Sequence, residues 1–397
     1  MSFYLESKDK KDCFNCTACS AICPKNCITM ERNLKDGYIY PKIDKEKCIN
    51  CGRCKNVCIK LNNRELQNNI KHAYVLYNKN EEVRKSSASG GISSLLMEYV
   101  IEKNGTVYGA AYDSNLVVCH IRATTLEECE KFKTSKYVRS SIEGVYKQVL
   151  EDLNAGRLVL FTGTPCQIAG LKSITLNTKL QEKLILCEIM CDCVASPILF
   201  EKYKTAIENK YGKKIEKINF RSKENGAHNK SMKIKFEDNS EVILPHKSQN
   251  LYSEYMQIFG CGLSAPISCS SCEFEHTNER ISDFTIGDYW GKNEILKDDN
   301  KGISLMLVST EKANKIFNEY IKDKIAFEEV EVMQALDNNH VKPKTNILNK
   351  TSFMEDLPRL SFNELSDKYV KRYRWRTKIA KILPKGMKEK IKEIIKK

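Results

Sequence analysis

Cys13-Phe14-Asn15-Cys16-Thr17-Ala18-Cys19-Ser20-Ala21-Ile22-Cys23-Pro24 sets four cysteines at the spacing C-x2-C-x2-C-x3-C. Cys48, Cys51, Cys54 and Cys58 repeat that spacing 35 residues later. The two-residue gaps let three thiolates of a tight loop converge on one [4Fe–4S] cluster, and the fourth cysteine sits a helical turn further on. Two zinc sites of four cysteines each are the alternative, but zinc ribbons use two separated C-x-x-C pairs. Pro24 follows the first run as the pattern expects, whereas Ile59 stands where the second run often has proline.

The doubled run resembles the two-cluster bacterial ferredoxin module, in which the fourth cysteine of each run serves the other cluster. The resemblance implies that Cys13, Cys16, Cys19 and Cys58 hold one cluster and that Cys48, Cys51, Cys54 and Cys23 hold the other. An α+β ferredoxin-like module is therefore expected over residues 1–62.

The whole chain has 397 residues, enough for about two or three domains with a full core. Hydrophobic residues make up 41% and charged residues 29%, as in ordinary globular domains. Eighteen cysteines without a secretory leader point to metal rather than disulfides. Met1–Asp12 is charged and lacks the apolar core of a signal peptide, and no run of about 18 apolar residues predicts a membrane span. A cytoplasmic location is expected, because thiolates and clusters need reducing conditions.

Of the net charge of +14, +10 falls in Tyr369–Lys397. There Trp375, Ile379, Ile382 and Leu383 share one helical face, and Met387, Ile391, Ile394 and Ile395 share another beyond Pro384-Lys385-Gly386. A basic amphipathic C-terminal helical tail of this kind suits the inner face of a membrane. A solvated or disordered basic tail is the plain alternative. Confinement of the charge to the tail speaks against nucleic acid.

Residues 61–71 are polar and asparagine-rich and read as a linker. A mixed α/β domain is expected over 71–340, with a polar linker and the tail over 341–397. Strands are predicted at Ala73–Tyr77, Thr106–Tyr112, Arg157–Phe161, Leu184–Ile189, Phe284–Ile286 and Ser304–Val308, with helices at Ile92–Lys103 and Ile142–Leu153 and another beginning at Ile168. This alternation predicts parallel pairing. Antiparallel strands are predicted at Ile215–Phe220, Ser231–Phe236 and Glu241–Leu244.

Five stretches of this domain carry chemistry. Ser87-Ala88-Ser89-Gly90-Gly91 precedes the Ile92 helix, where free N–H groups suit a phosphate, though an ordinary serine cap reads the same. Thr134-Ser135-Lys136-Tyr137-Val138 offers an amine beside a ring. Thr162-Gly163-Thr164-Pro165-Cys166 ends a buried strand, where open α/β sheets bind ligands. Cys187-Glu188-Ile189-Met190-Cys191-Asp192-Cys193 ends another. Cys269-Ser270-Ser271-Cys272 precedes Asp283-Phe284-Thr285-Ile286-Gly287-Asp288-Tyr289-Trp290-Gly291.

In order and spacing these stretches resemble the beta-subunit family of coenzyme F-420 hydrogenases and dehydrogenases, over residues 71–339. The resemblance implies FAD and a third [4Fe–4S] cluster. The cluster ligands carried over are Cys166, Cys191, Cys269 and Cys272; Cys193 and Cys261 are alternatives, since Cys191-Asp192-Cys193 departs from the family's usual Cys-His-Gly. For FAD the resemblance implies Ser87, Ser89, Gly90 and Gly91 at the pyrophosphate, Lys136 offsetting its charge, and Thr162, Gly163 and Thr164 along the cofactor. Asp283 or Asp288 would lie near the flavin. His120, His228 and His276 form no recognisable triad, so no acid or base is assigned.

The expectation is an iron–sulfur flavoprotein oxidoreductase working between an external carrier and an unidentified substrate. The carrier would be a ferredoxin, a reduced nicotinamide or a deazaflavin coenzyme. Relatives of this kind accompany cell-surface polysaccharide genes, which implies a role there. The competing expectation is a non-catalytic electron-transfer subunit of a larger redox complex.

Overall fold

The computed structural model describes residues 3–62, 66–274, 279–291, 296, 298–338 and 347–371. A sheet of eight strands organises the molecule. Its centre is four parallel strands, Thr106–Tyr112, Val159–Gly163, Leu184–Ile189 and Phe284–Asp288, adjacent in that order. Val118–Ala123 closes one edge antiparallel to the first. Ser304–Val308, His72–Asn78 and Ile325–Val330 extend the other side, also antiparallel. The parallel pairing read from the sequence holds at the centre and gives way at both margins. Val118–Ala123 and Ile325–Val330 escape prediction because they are short edge strands with mixed polar sequences.

Alternate residues of the central strands enter different cores, as strand geometry requires. Val107, Leu160 and Ile185 meet the helix Ser93–Glu102 on one face. Tyr108, Val159, Phe161, Leu184 and Leu186 meet the helices Val145–Asn154 and Pro165–Thr175 on the other. The helix Ser93–Glu102 stops at Asn104, which takes φ +54°, and Gly105 N–H then donates to the Val100 carbonyl at 2.9 Å. The predicted Asn-Gly stop is thus made with asparagine in the left-handed position.

The predicted antiparallel strands form a separate three-stranded sheet, Ile215–Ser222, Ser231–Phe236 and Glu241–Pro245. Its core includes Leu199 and Tyr203 of the helix Pro197–Tyr211, and Tyr255 and Ile258 of the helix Leu251–Gly260. Phe353, Leu357, Phe362, Leu365 and Val370 are buried in the same core. This corrects the reading of 341–397 as linker and tail: residues 347–371 include the helices Ile347–Asp356 and Phe362–Ser366. Their apolar residues are widely spaced among charges, so the amphipathic signal is lost in a polar average. The helical tail read over Trp375–Ile395 lies outside the described residues.

The N-terminal module has a two-stranded antiparallel sheet, Ile28–Arg32 with Ile39–Ile43. It is docked firmly on the rest. Tyr38, 1% exposed, donates from its hydroxyl to the carbonyls of Ser264 at 2.7 Å and Val194 at 3.2 Å. Ser196 Oγ donates to the Asp36 carbonyl at 2.6 Å. A Cβ on Gly170 would lie 2.8 Å from Cys16 Cβ and 2.9 Å from the Tyr146 hydroxyl, so only glycine allows this approach. Among the described residues no helix is long and apolar enough to cross a membrane.

Candidate cluster and cofactor site

The module's cysteines lie on short loops at the starts of one-turn helices, Ala18–Ala21 and Arg53–Asn56. Thr17 and Gly52 take left-handed backbone there, turning the chain sharply within each cysteine loop. Burial pushes the Cys16 thiol up, and Cys13 and Cys58 push it further. Burial also raises Cys19, and its strongest thiol neighbours are Cys16, Cys13 and Cys58. Burial raises Cys54, with Cys51 and Cys23 the nearby thiols that add to it. Cys58 thus acts on Cys13, Cys16 and Cys19, Cys54 acts on Cys19 and Cys58, and Cys23 acts on Cys54. Cys27 is an addition, its Sγ 3.3 Å from Cys23 Sγ. Among the described residues no three His, Cys, Asp or Glu side chains are arranged to hold a single metal ion.

The second group gathers where the module meets the sheet. Thr164 caps the helix Pro165–Thr175 with Gln167 in a capping box, and Pro165 takes the first turn. That geometry holds Cys166 beside the module, close enough to influence the Cys13 and Cys16 thiols. Burial pushes the Cys191 thiol well up, and the thiols acting on it are Cys166, Cys269, Cys193 and Cys272. Burial raises Cys269 to about 11, with Cys166 adding to it. Cys193 therefore belongs to the same neighbourhood, and its Sγ donates to the Phe259 carbonyl at 3.3 Å.

Beside this group opens a cavity of about 450 Å³. Its floor is the carboxyl ends of the parallel strands, at Thr162-Gly163, Ile189 and Ile286-Gly287-Asp288. Open α/β sheets bind ligands at this position, and the volume suits a cofactor-sized ligand. Ser87, Ser89, Gly91, Lys136, Thr162, Gly163 and Thr164 all line it, as do Cys191 and Cys193. Gly90 does not; its N–H donates to Ser304 Oγ at 2.8 Å, and a Cβ would meet the Leu76 carbonyl at 2.7 Å. The helix Ser93–Glu102 starts without a side-chain cap, which leaves its first N–H groups for a phosphate.

Two of the expected residues take particular places here. Lys136 lines the cavity, but its ammonium donates to the carbonyls of Lys131 at 2.8 Å and Lys133 at 3.1 Å. Burial, with Lys217 adding to it, brings Lys136 down to about 7. Its ammonium thus caps the 131–134 turn at the edge of the cavity. Of the two aspartates, Asp288 lines the cavity while Asp283 ties strands together, accepting from Leu186 N–H at 2.8 Å. Burial works against the charge on Asp288, but the Arg221 guanidinium, 2.6 Å away, outweighs it and holds the carboxyl low.

Several site residues gave no sequence signal. His120 lines the cavity and stacks on Phe161. Its Nε2 meets the Thr162 carbonyl at 2.7 Å and Nδ1 meets Ser140 Oγ at 2.7 Å, so Nε2 carries the proton and Ser140 donates to Nδ1. Burial brings its pKa down to about 4. Gln167 Nε2 donates to Ser140 Oγ at 3.1 Å and its Oε1 accepts from Thr164 N–H at 3.0 Å. The Thr162–Thr164 turn thus rests on a polar strut of His120, Ser140 and Gln167. Lys230 sits 3.9 Å from the ring centre of Trp290, itself half exposed on the cavity wall. His228 is exposed and paired with Asp298, and His276 lies outside the described residues.

Residues 156–332 match the family described as the C terminus of the coenzyme F420 hydrogenase/dehydrogenase beta subunit, and residues 12–61 match the 4Fe-4S dicluster domain. The chain thus carries a 4Fe-4S dicluster domain over residues 12–61 and, over residues 156–332, a domain similar to the C terminus of F420 hydrogenase/dehydrogenase beta subunits. Among solved structures it is similar to a chain of the F420-reducing [NiFe] hydrogenase complex from Methanosarcina barkeri. That chain is 17% identical, with 74% of this chain and 91% of that one covered at a TM-score of 0.43. No curated protein matches. The match to the beta-subunit family includes Cys166, Cys191, Cys269, Cys272 and the strand ends that floor the cavity.

Proposed function

We propose that this chain is a flavin-dependent oxidoreductase with three [4Fe–4S] clusters, fed through its N-terminal module. One observation carries the reading. Cys191 lines the cavity while its thiol sits among Cys166, Cys269 and Cys272, and Cys166 in turn acts on Cys13 and Cys16. These influences support a series of thiol groups leading from the module to the cavity wall. When bound, the clusters supply one-electron steps and FAD exchanges those for two-electron chemistry.

The residues have separable tasks. Cys13, Cys16, Cys19 and Cys58, then Cys48, Cys51, Cys54 and Cys23, then Cys166, Cys191, Cys269 and Cys272 would hold the three clusters. Ser87, Ser89, Gly91 and the uncapped helix start would receive the pyrophosphate. Thr162, Gly163 and Thr164 would lie along the ring system. His120 stays neutral near pH 7 and orients that turn. The Arg221–Asp288 pair fixes the far wall. The partner at the module is a one-electron carrier of the ferredoxin class, and a nicotinamide or deazaflavin coenzyme would exchange hydride at the cavity.

Anaerobic purification with iron, sulfide and flavin quantitation tests this. About twelve irons and one FAD per chain are expected, since each cube holds four irons. Cys272→Ser should lower the iron by about four while leaving the N-terminal clusters' signals intact. About eight irons with no flavin would overturn the catalytic reading and leave an electron-transfer role.

A further inference from the structure

Arg139 lies at the junction of the two thiol groups and is 7% exposed. One guanidinium nitrogen donates to Cys166 Sγ at 3.2 Å. The other donates to the carbonyls of Phe14 at 3.1 Å and Asn15 at 2.7 Å, inside the first cysteine loop. Its backbone N–H donates to the Ala195 carbonyl at 3.0 Å, on the segment that follows Cys191 and Cys193. One residue thus touches the module's inner loop, the Cys166 turn and the Cys191 segment.

A cation this deep is costly unless an anion lies beside it. The groups that act most on Arg139 are Cys166, Cys269 and Tyr146, and none is a carboxylate. Neutral thiols would leave the guanidinium without a counter-charge. Thiolates holding a cluster would supply one, and their sulfurs would accept its N–H. Hydrogen bonds to sulfur and nearby positive charge both favour the reduced, more negative form of a cluster and so raise its potential.

We propose that Arg139 is a positioning residue that raises the reduction potential of the cluster held by Cys166, Cys191, Cys269 and Cys272, making that site the acceptor for electrons arriving from the module. The inference rests on the three-cluster reading above. A merely structural Arg139 would tie the loops together without altering any potential.

The test is a potentiometric titration followed by electron paramagnetic resonance on the full-length anaerobic protein and on Arg139→Lys and Arg139→Gln. The Gln variant loses the charge, so the body cluster's midpoint should move to more negative potential. The Lys variant keeps the charge but loses the fork aimed at sulfur, so it should move in the same direction by less. The outer module cluster, remote from Arg139, should keep its midpoint in both. Unchanged midpoints at wild-type iron content would overturn the inference while leaving the three-cluster reading intact. If the Gln variant fails to fold, the Lys variant decides by the same criterion. A wild-type protein with only about eight irons would remove the third cluster and this inference with it.

Discussion

His120 illustrates how a residue with no motif shapes a site. Its imidazole is held neutral between Thr162 and Ser140, with a pKa of about 4 against an ordinary value of about 6.5. Unfolding frees it to bind a proton, so the unfolded state takes up more protons between those values. Stability from this group is complete above about pH 6.5 and is lost as pH falls toward 4. Denaturant midpoints measured at about pH 7 and pH 5 should therefore differ less in His120→Gln than in the wild type. A residue such as this is silent in the sequence because its partners, a carbonyl and a serine, come from other strands and loops. The doubled C-x2-C-x2-C-x3-C run is legible because all its information is local spacing.

At the scale of elements, the helix Pro165–Thr175 joins two tasks. Its first turn presents Cys166 and its middle accepts the module at Gly170. Alanine is a better helix former than glycine by about 1 kcal/mol. At Gly170 its Cβ would press on Cys16 Cβ, and overpacking costs about 1–3 kcal/mol. Gly170→Ala should therefore lower stability on balance, and Gly170→Val more so, read as a fall in denaturant midpoint. The helices over 347–371 teach the opposite lesson about legibility. Phe353 and Leu357 are fully buried, yet their surroundings in sequence are polar. Phe353→Ala should cost about 3–5 kcal/mol by thermal or denaturant unfolding, a loss that a linker residue would not produce. The central strands are legible to within a few residues because continuous apolar runs mark strands buried on both faces. The margins of the sheet are not, because that signal thins there.

For the molecule as a whole, the outer cysteine loop decides how a donor would be met. Cys51 is exposed, as are Ile49 and Asn50 beside it. Lys25, Lys45, Lys47, Arg53 and Lys55 of the module are exposed too, and across the whole module the exposed carboxylates are Glu6, Asp9, Glu31 and Glu46. This balance favours an acidic carrier, and steering between exposed charges is screened by salt. Reduction of the protein by an acidic ferredoxin should slow as ionic strength rises, and Lys45→Glu with Arg53→Glu should slow it at low salt. Rates indifferent to both would count against this face as the port. The tail offers a separate test at the same scale. Val370 is buried and the Tyr369 hydroxyl donates to Asp356 at 2.7 Å, so a truncation should begin after Lys371. The reading of the tail as a membrane-surface helix predicts that removing 372–397 abolishes binding to anionic vesicles without loss of iron; unchanged vesicle binding would sink that reading. Module, family and body architecture are legible in the sequence, whereas the docking of module on body is not, because it rests on glycines and carbonyls that meet only in space.

That docking also grades how easily each thiol can be reached while the protein is being made. With Cys16 close against Gly170 and Arg139 bonded into the first cysteine loop, Cys13, Cys16 and Cys19 are part-buried, whereas Cys51 is exposed. Loading of iron and sulfide at the inner loop is therefore more sensitive to the closing of module on body than loading at the loop around Cys51.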